Sequence, residues 1–183
     1  MLHAPNRATR VIRPAREDFY AGFCRSGCPY NDEGGWFVPY RRVREYTDAY
    51  EAVINLCVID LSSTFICGVP FVIDTGTDVT IVPRRLVSRP HAFQVKNSLG
   101  PYKLQGLTGG GVVGLRFNAA MFLPLPQRDL PSLSFGRLKP VVVDHWKDDY
   151  GMLGLDALRR VVMVSDREHV SLWPAPSSDC REV

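Results

Sequence analysis

Asp74 closes the apolar run Phe71-Val72-Ile73 and opens the turn Thr75-Gly76-Thr77-Asp78, from which Val79-Thr80-Ile81-Val82 leads away to Pro83. The pattern describes a buried strand that delivers one carboxylate to a tight turn. Threonine hydroxyls flank the acid, and the glycine lets another backbone approach. A carboxylate set out this way is equipped for general acid–base chemistry. Asp, Thr and Gly are also common turn residues, so the triplet alone is weak evidence. Its weight comes from the flanks, because an acid between core strands is costly unless it has partners or work. A second element lies about eighty residues downstream, where Gly151-Met152-Leu153-Gly154-Leu155-Asp156-Ala157-Leu158 is an apolar stretch entering a helix.

Other chemistries find little support. Gly109-Gly110-Gly111-Val112-Val113-Gly114 fits G-x-G-x-x-G, but a dinucleotide site needs that run to open a helix facing pyrophosphate. Leu115-Arg116-Phe117 continues as strand instead, and Pro124 and Pro126 forbid a long helix. No G-x-S-x-G, H-E-x-x-H or Walker lysine is present. Asp144, His145, Asp148 and Asp149 are of the types that hold a divalent metal; a solvated acidic loop is the simpler reading. Cys24 and Cys28 are spaced C-x3-C with no second pair or nearby histidine to complete a zinc set. No metal or other cofactor is therefore assigned. Five cysteines imply no disulfide framework in a chain of this size, and Cys57 and Cys67 read as small core residues.

The elements that must position Asp74 are short. The 183 residues suit one domain, and 15 Gly with 14 Pro favour many strands joined by turns. Val53–Asp60 and Thr64–Val69 form a hairpin, and Phe71–Ile73 and Thr80–Val82 flank the Asp74 turn. Arg84–Arg89 makes a helical turn. Tyr102–Gln105 and Val112–Phe117 enclose a glycine-rich tip. Ala119–Leu125, Pro140–Val143, Val161–Val164 and His169–Trp173 are further strands, and Gly154–Arg160 is one short helix. The chain is read as all-β. Residues 49–175 make the domain, residues 1–48 an N-terminal arm or leader carrying Phe19, Tyr20, Trp36, Phe37 and Tyr40, and residues 176–183 a tail. A net charge of +3 without basic blocks argues against nucleic acid. No apolar run approaches the ~18 residues of a membrane span, and the Arg-rich start lacks a secretory h-region, so a soluble, cytoplasmic protein is expected.

From about Val53 to Trp173 the chain resembles the retropepsin-like aspartic peptidases, the single-domain class that includes retroviral proteases and their cellular relatives. The order of parts agrees: hairpin, D-T-G loop, strand, glycine-rich flap, strands, an apolar-Leu-Gly-x-Asp helix and a terminal strand. The resemblance implies a closed β-barrel with one short helix near the C-terminus. It makes Asp74, Thr75 and Gly76 the catalytic triplet. Thr77 and Asp78 become substrate-binding residues, as do Gly106, Leu107, Thr108, Gly109, Gly110 and Gly111 of the flap. Gly154 and Asp156 take supporting places. Leu155 stands where viral members carry the arginine that pairs with the carboxylate matching Asp78, so Asp78 must find another cation or face solvent.

Peptide hydrolysis without a metal or covalent nucleophile needs two carboxyls sharing one proton around a water. One D-T-G is half of such a site, so the second Asp74 is expected from a twin in a C2 homodimer. The resemblance further implies that Thr75 braces the two loops, that the strand near Val170-Ser171-Leu172 pairs with its twin, and that apolar residues of a peptide or protein substrate flank the cut. A catalytically silent dimerisation or peptide-binding module is the alternative, motivated by Leu155 and by residues 1–48.

Overall fold

The structure, a computed structural model, describes residues 36–43, 49–106, 110–123 and 133–174. They form twelve strands and one short α-helix: β1 (Trp36–Arg42), β2 (Tyr50–Asp60), β3 (Phe65–Ile73), β4 (Ile81–Pro83), β5 (Gly100–Gln105), β6 (Gly111–Arg116), β7 (Ala119–Leu123), β8 (Leu133–Leu138), β9 (Val141–Val143), β10 (Gly151–Leu153), α1 (Leu155–Leu158), β11 (Val161–Ser165) and β12 (His169–Pro174). The strands share one pairing path, β11-β12-β1-β2-β3-β10-β4-β9-β6-β5, with β7 branching from β2 and carrying β8. Among the described residues the path has no hydrogen-bonded seam joining its ends. One core cluster nevertheless draws on both halves of it, through Val38 and Leu172 on one side and Phe71, Val82, Val142 and Leu153 on the other. The sheet thus curls about a single interior, and the all-β reading holds.

β2 is buried at every position from Ala52 to Val58. A strand buried on consecutive positions is covered on both faces. Its turn into β3 is fixed by Asp60, only 7% exposed. That carboxylate accepts from Ser62 N and Thr64 N at 3.0 Å and from Phe93 N at 2.7 Å. Three amide donors satisfy a buried charge that would otherwise be costly. Phe93 packs edge-on against Phe117 at 5.3 Å, tying the segment after β4 to the core.

The long-range pairing changes four expectations. Trp36–Arg42 lies within the stretch assigned to the N-terminal extension, yet it is a sheet strand, paired with β12 through Trp36↔Leu172 and with β2 through Tyr40↔Ala52. Pro39 interrupts the run, and a proline inside a run argues against a strand when only sequence is read. β12, expected to offer an edge to a twin, has β11 on one side and β1 on the other, so neither edge is free. Cys57 and Cys67 are not two separate core thiols but a disulfide, with Cα atoms 4.0 Å apart. The β2–β3 register shifts between Leu56 and Val58, which sets these two side chains opposite each other. Leu133–Leu138 was not anticipated as a strand. Gly136, at φ 67°, sits where the β7–β8 register shifts and breaks the alternation that begins with Leu133 and Phe135.

The Gly109–Gly114 decoy resolves as expected for its described residues, since Gly111–Arg116 is strand and not helix. Cys24, Cys28, Leu107, Thr108, Gly109 and the tail 176–183 lie outside the described residues. No helix among the described residues is long and apolar enough to cross a membrane.

Candidate active site

Asp74 follows directly from β3, whose last residues run parallel to β10 with Ile73 opposite Leu153. Its own amide donates to Leu153 O at 3.1 Å, so β10 sets the height at which the loop leaves the sheet. The side chain is half-buried. Oδ1 accepts from Gly76 N at 2.8 Å and Oδ2 from Thr77 Oγ1 at 2.8 Å. Each carboxylate oxygen therefore has a donor that fixes its direction. A Cβ on Gly76 would stand 3.2 Å from Asp74 Oδ1, tight enough to disturb that arrangement. Thr75 and Gly76 are exposed at the loop tip, and Thr75 makes no side-chain hydrogen bond to a described residue.

The start of α1 clamps the far side of the loop. Leu155 N donates to Thr77 O at 2.8 Å and Asp156 N to Asp78 O at 3.0 Å. These amides have no partner within the helix, and the loop carbonyls satisfy them. Gly154 permits the approach: a Cβ there would lie 2.6 Å from Val79 C and 2.8 Å from Thr77 O. Thr80, fully buried, ties the two segments together. Its Oγ1 donates to Asp156 Oδ1 at 2.6 Å and accepts from Gly154 N at 3.3 Å. The sequence reading has Thr80 only as the first residue of the strand Thr80–Val82, without a role. Its position one residue before an apolar strand was the only available signal. Asp78 faces solvent with no side-chain partner among the described residues, so no other cation replaces the arginine absent at Leu155.

A second apolar cluster adjoins the loop. Ile81, Val141 and Val143 are buried there, with Val79, Tyr102, Leu104, Trp146 and Met152 packed on them. Val82, Val142 and Leu153 alternate with these residues and belong to the main core. Strands β4, β9 and β10 therefore present apolar side chains on both faces. Tyr102 and Leu104 come from β5, whose hairpin with β6 is paired through Gln105↔Gly111 and closed by Gly106 N to Gly110 O at 3.0 Å. No hydrogen bond joins that hairpin end to the Asp74 loop among the described residues. The expected site residues fall into two groups. Asp74, Thr77, Asp78, Gly154 and Asp156 meet in one network, while Gly106, Gly110 and Gly111 end a separate hairpin.

The acidic loop after β9 is held by arginines. Arg84 Nε meets Asp144 Oδ1 at 2.6 Å, and Arg85 Nη2 meets Asp149 Oδ1 at 3.1 Å. Arg85 also donates to the carbonyls of Trp146 and Asp148. Among the described residues no three His, Cys, Asp or Glu side chains gather as a metal ligand set.

No family model matches the chain, and no curated protein matches it. Solved structures do. A retropepsin-like aspartic protease from Rickettsia conorii superposes with a TM-score of 0.50 at 15% identity, covering 78% of this chain and 94% of that one. The EIAV protease complexed with the inhibitor HBY-793 gives a TM-score of 0.36 at 17% identity, covering 63% and 92%. Identity this low speaks to the fold and leaves the chemistry to the site. The fold of this chain is retropepsin-like.

Proposed function

We propose that the protein is an aspartic endopeptidase, active as a homodimer in which Asp74 of each subunit faces a shared water. The observation that carries this reading is the Asp74 carboxylate itself. It is half-buried at the end of a core strand and oriented through both oxygens by Gly76 N and Thr77 Oγ1. The two carboxyls would share one proton, because like charges that close resist joint ionisation. The ionised carboxylate takes a proton from the water as its oxygen attacks the scissile carbonyl carbon. The protonated partner donates to the carbonyl oxygen, giving a gem-diol. Collapse then breaks the C–N bond as a proton passes to the leaving nitrogen.

In this reading Thr75, exposed at the tip, braces the twin loop. Gly76 admits the substrate backbone, and Thr77 and Asp78 receive substrate polar groups. The β5–β6 hairpin, with residues 106–111 at its end, closes over the peptide and excludes water. The cluster around Ile81, Val141, Val143 and Met152 supports a preference for apolar side chains at the cut. Leu155 and the solvent-facing Asp78 favour the second reading, a retropepsin-fold module that binds peptide without cutting it.

The test is cleavage of a mixed peptide library from acid to neutral pH, wild type beside Asp74→Asn, with a statine-type transition-state mimic. Cleavage between apolar residues that is lost in the variant and blocked by the mimic is the expected result. Silence from wild-type protein shown to be dimeric in the assay would overturn the peptidase and leave the binding module.

A further inference from the structure

Val79, Tyr102, Leu104, Trp146 and Met152 are partly buried around a floor of Ile81, Val141 and Val143. They make a half-open apolar surface that begins one residue after Asp78. All but Trp146 are placed by the sheet and its clamp. Tyr102 and Leu104 pair with Gly114 and Val112, and Met152 lies opposite Val72 and Ile81. Val79 stands between Asp78 O, which accepts from Asp156 N, and Thr80 O, which accepts from Val141 N. Trp146 has no such frame. It belongs to the stretch 144–150, where no strand runs.

Its place depends on side-chain bonds instead. The indole Nε1 donates to Tyr150 O at 3.0 Å, which fixes the ring within its own loop. Arg85 clasps that loop: its guanidinium donates to Trp146 O and Asp148 O and meets Asp149 Oδ1 at 3.1 Å. Arg84 ties down the first loop residue through Asp144 Oδ1 at 2.6 Å and is itself anchored on Phe93 O at 3.0 Å. Both arginines lie on the short turn Arg84–Val87, which follows β4 directly. The strand that leaves the Asp74 loop therefore also carries the clasp. Its bonds are unequal. The Arg85 and Asp149 side chains are 41% and 92% exposed, and such surface pairs contribute little. The carbonyl contacts are the directional part, and a planar guanidinium can reach both at once where a lysine ammonium is a single point.

We propose that Arg85 is a positioning residue for substrate. By clasping residues 146–149 it holds the Trp146 indole as the loop-borne wall of the apolar surface. A peptide side chain beside the cut packs on that wall when the β5–β6 hairpin closes. This rests on the reading that a peptide lies next to Asp74, and it applies equally to cutting and to binding alone. Arg85 touches no substrate and acts through Trp146. Without the clasp the wall loses its fixed place, so affinity falls while proton transfer at Asp74 is unchanged.

The experiment uses full-length chains and two readouts. One is Kd for a fluorescein-labelled statine-type mimic, by anisotropy; the other is KM and kcat for the library peptide that wild type cuts fastest. Arg85→Ala and Trp146→Ala should each raise Kd and KM by about 10-fold with kcat within about twofold of wild type. The double variant should be no worse than Trp146→Ala, because the two residues act as one unit. Arg85→Lys keeps the charge and should lose about threefold, while Asp149→Asn should stay within about twofold. Melting curves check folding, and Arg85→Lys carries the test should an alanine variant unfold. A lysine variant equal to wild type in Kd, an Arg85→Ala chain that binds normally, or losses that add in the double variant each overturn the proposal; the peptidase then stands on wild-type cleavage. A wild-type dimer that binds the mimic and cuts nothing overturns the peptidase, and the Kd series still decides the role of Arg85. A wild-type chain that neither binds nor cuts overturns both.

Discussion

Two glycine-bearing regions of this molecule use the same residue for opposite ends. At the junction of the Asp74 loop, β10 and α1, Gly154 is buried, and a Cβ would strike the backbone of Val79 and Thr77. At the end of the β5–β6 hairpin, Gly110 has nothing within 4 Å of the position a Cβ would take. The first glycine allows two backbones to lock together, and four hydrogen bonds from Leu155 N, Asp156 N, Gly154 N and Thr80 Oγ1 exploit the approach. The second leaves a hairpin end open on its outer side. A carboxylate that must hold its aim sits on the crowded region, and the element proposed to close over substrate sits on the open one.

The largest effect expected from testing this contrast is on activity. Asp74→Asn keeps an oxygen to accept from Gly76 N, so the junction should stay folded while peptide cleavage falls by about 10²–10⁴-fold, read as turnover beside an unchanged melting curve. Gly154→Ala attacks the junction sterically. Backbone cannot yield as a flexible side chain can, and a loss of about 3 kcal/mol in denaturant-unfolding free energy is expected. Thr80→Val keeps the shape and removes the hydroxyl. It leaves Gly154 N and an Asp156 oxygen short of a partner, and chemical denaturation should show a loss of about 2 kcal/mol.

Gly110→Ala should change stability by less than about 0.5 kcal/mol. A cost equal to that of Gly154→Ala would erase the distinction between the regions. The smallest effect concerns Asp166 in the β11–β12 turn. Like Asp74, it caps its own loop, accepting from Glu168 N at 2.7 Å and His169 N at 2.9 Å. These amides, Glu168 first, hold its carboxyl below the ordinary range. A carboxyl lowered on folding adds stability at neutral pH and loses that contribution as pH falls through its folded value. The small melting-temperature deficit of Asp166→Asn should therefore shrink toward strongly acid pH. The group is exposed, so salt should reduce the deficit as well.

Much of this arrangement was legible in residues 71–83 and 151–158. An apolar strand into D-T-G, an apolar strand out and a Leu-Gly-x-Asp helix entry are local patterns, and local sterics and turn chemistry express them wherever the chain folds. The glycine-rich hairpin was legible for the same reason. The link between Thr80 and Asp156 was not, because it spans 76 residues and depends on β10 entering between β3 and β4. Asp78 could be read either way. Leu155 showed what was missing, and only the packing showed that no other cation among the described residues fills the place.

By itself the sequence determined an all-β chain, the position of the short helix at Leu155–Leu158, the strands bracketing Asp74, and a single D-T-G that asks for a twin. Each follows from period-two alternation, turn residues and the chemistry of one carboxylate. Tertiary structure alone decided that Trp36–Arg42 joins the sheet despite Pro39, that Cys57 meets Cys67, and that β12 is enclosed while β11 is left at the edge. Strand order and register belong to pairs of segments distant in sequence. Alternation tells a strand which face is apolar, but it does not tell it which neighbour will take its hydrogen bonds.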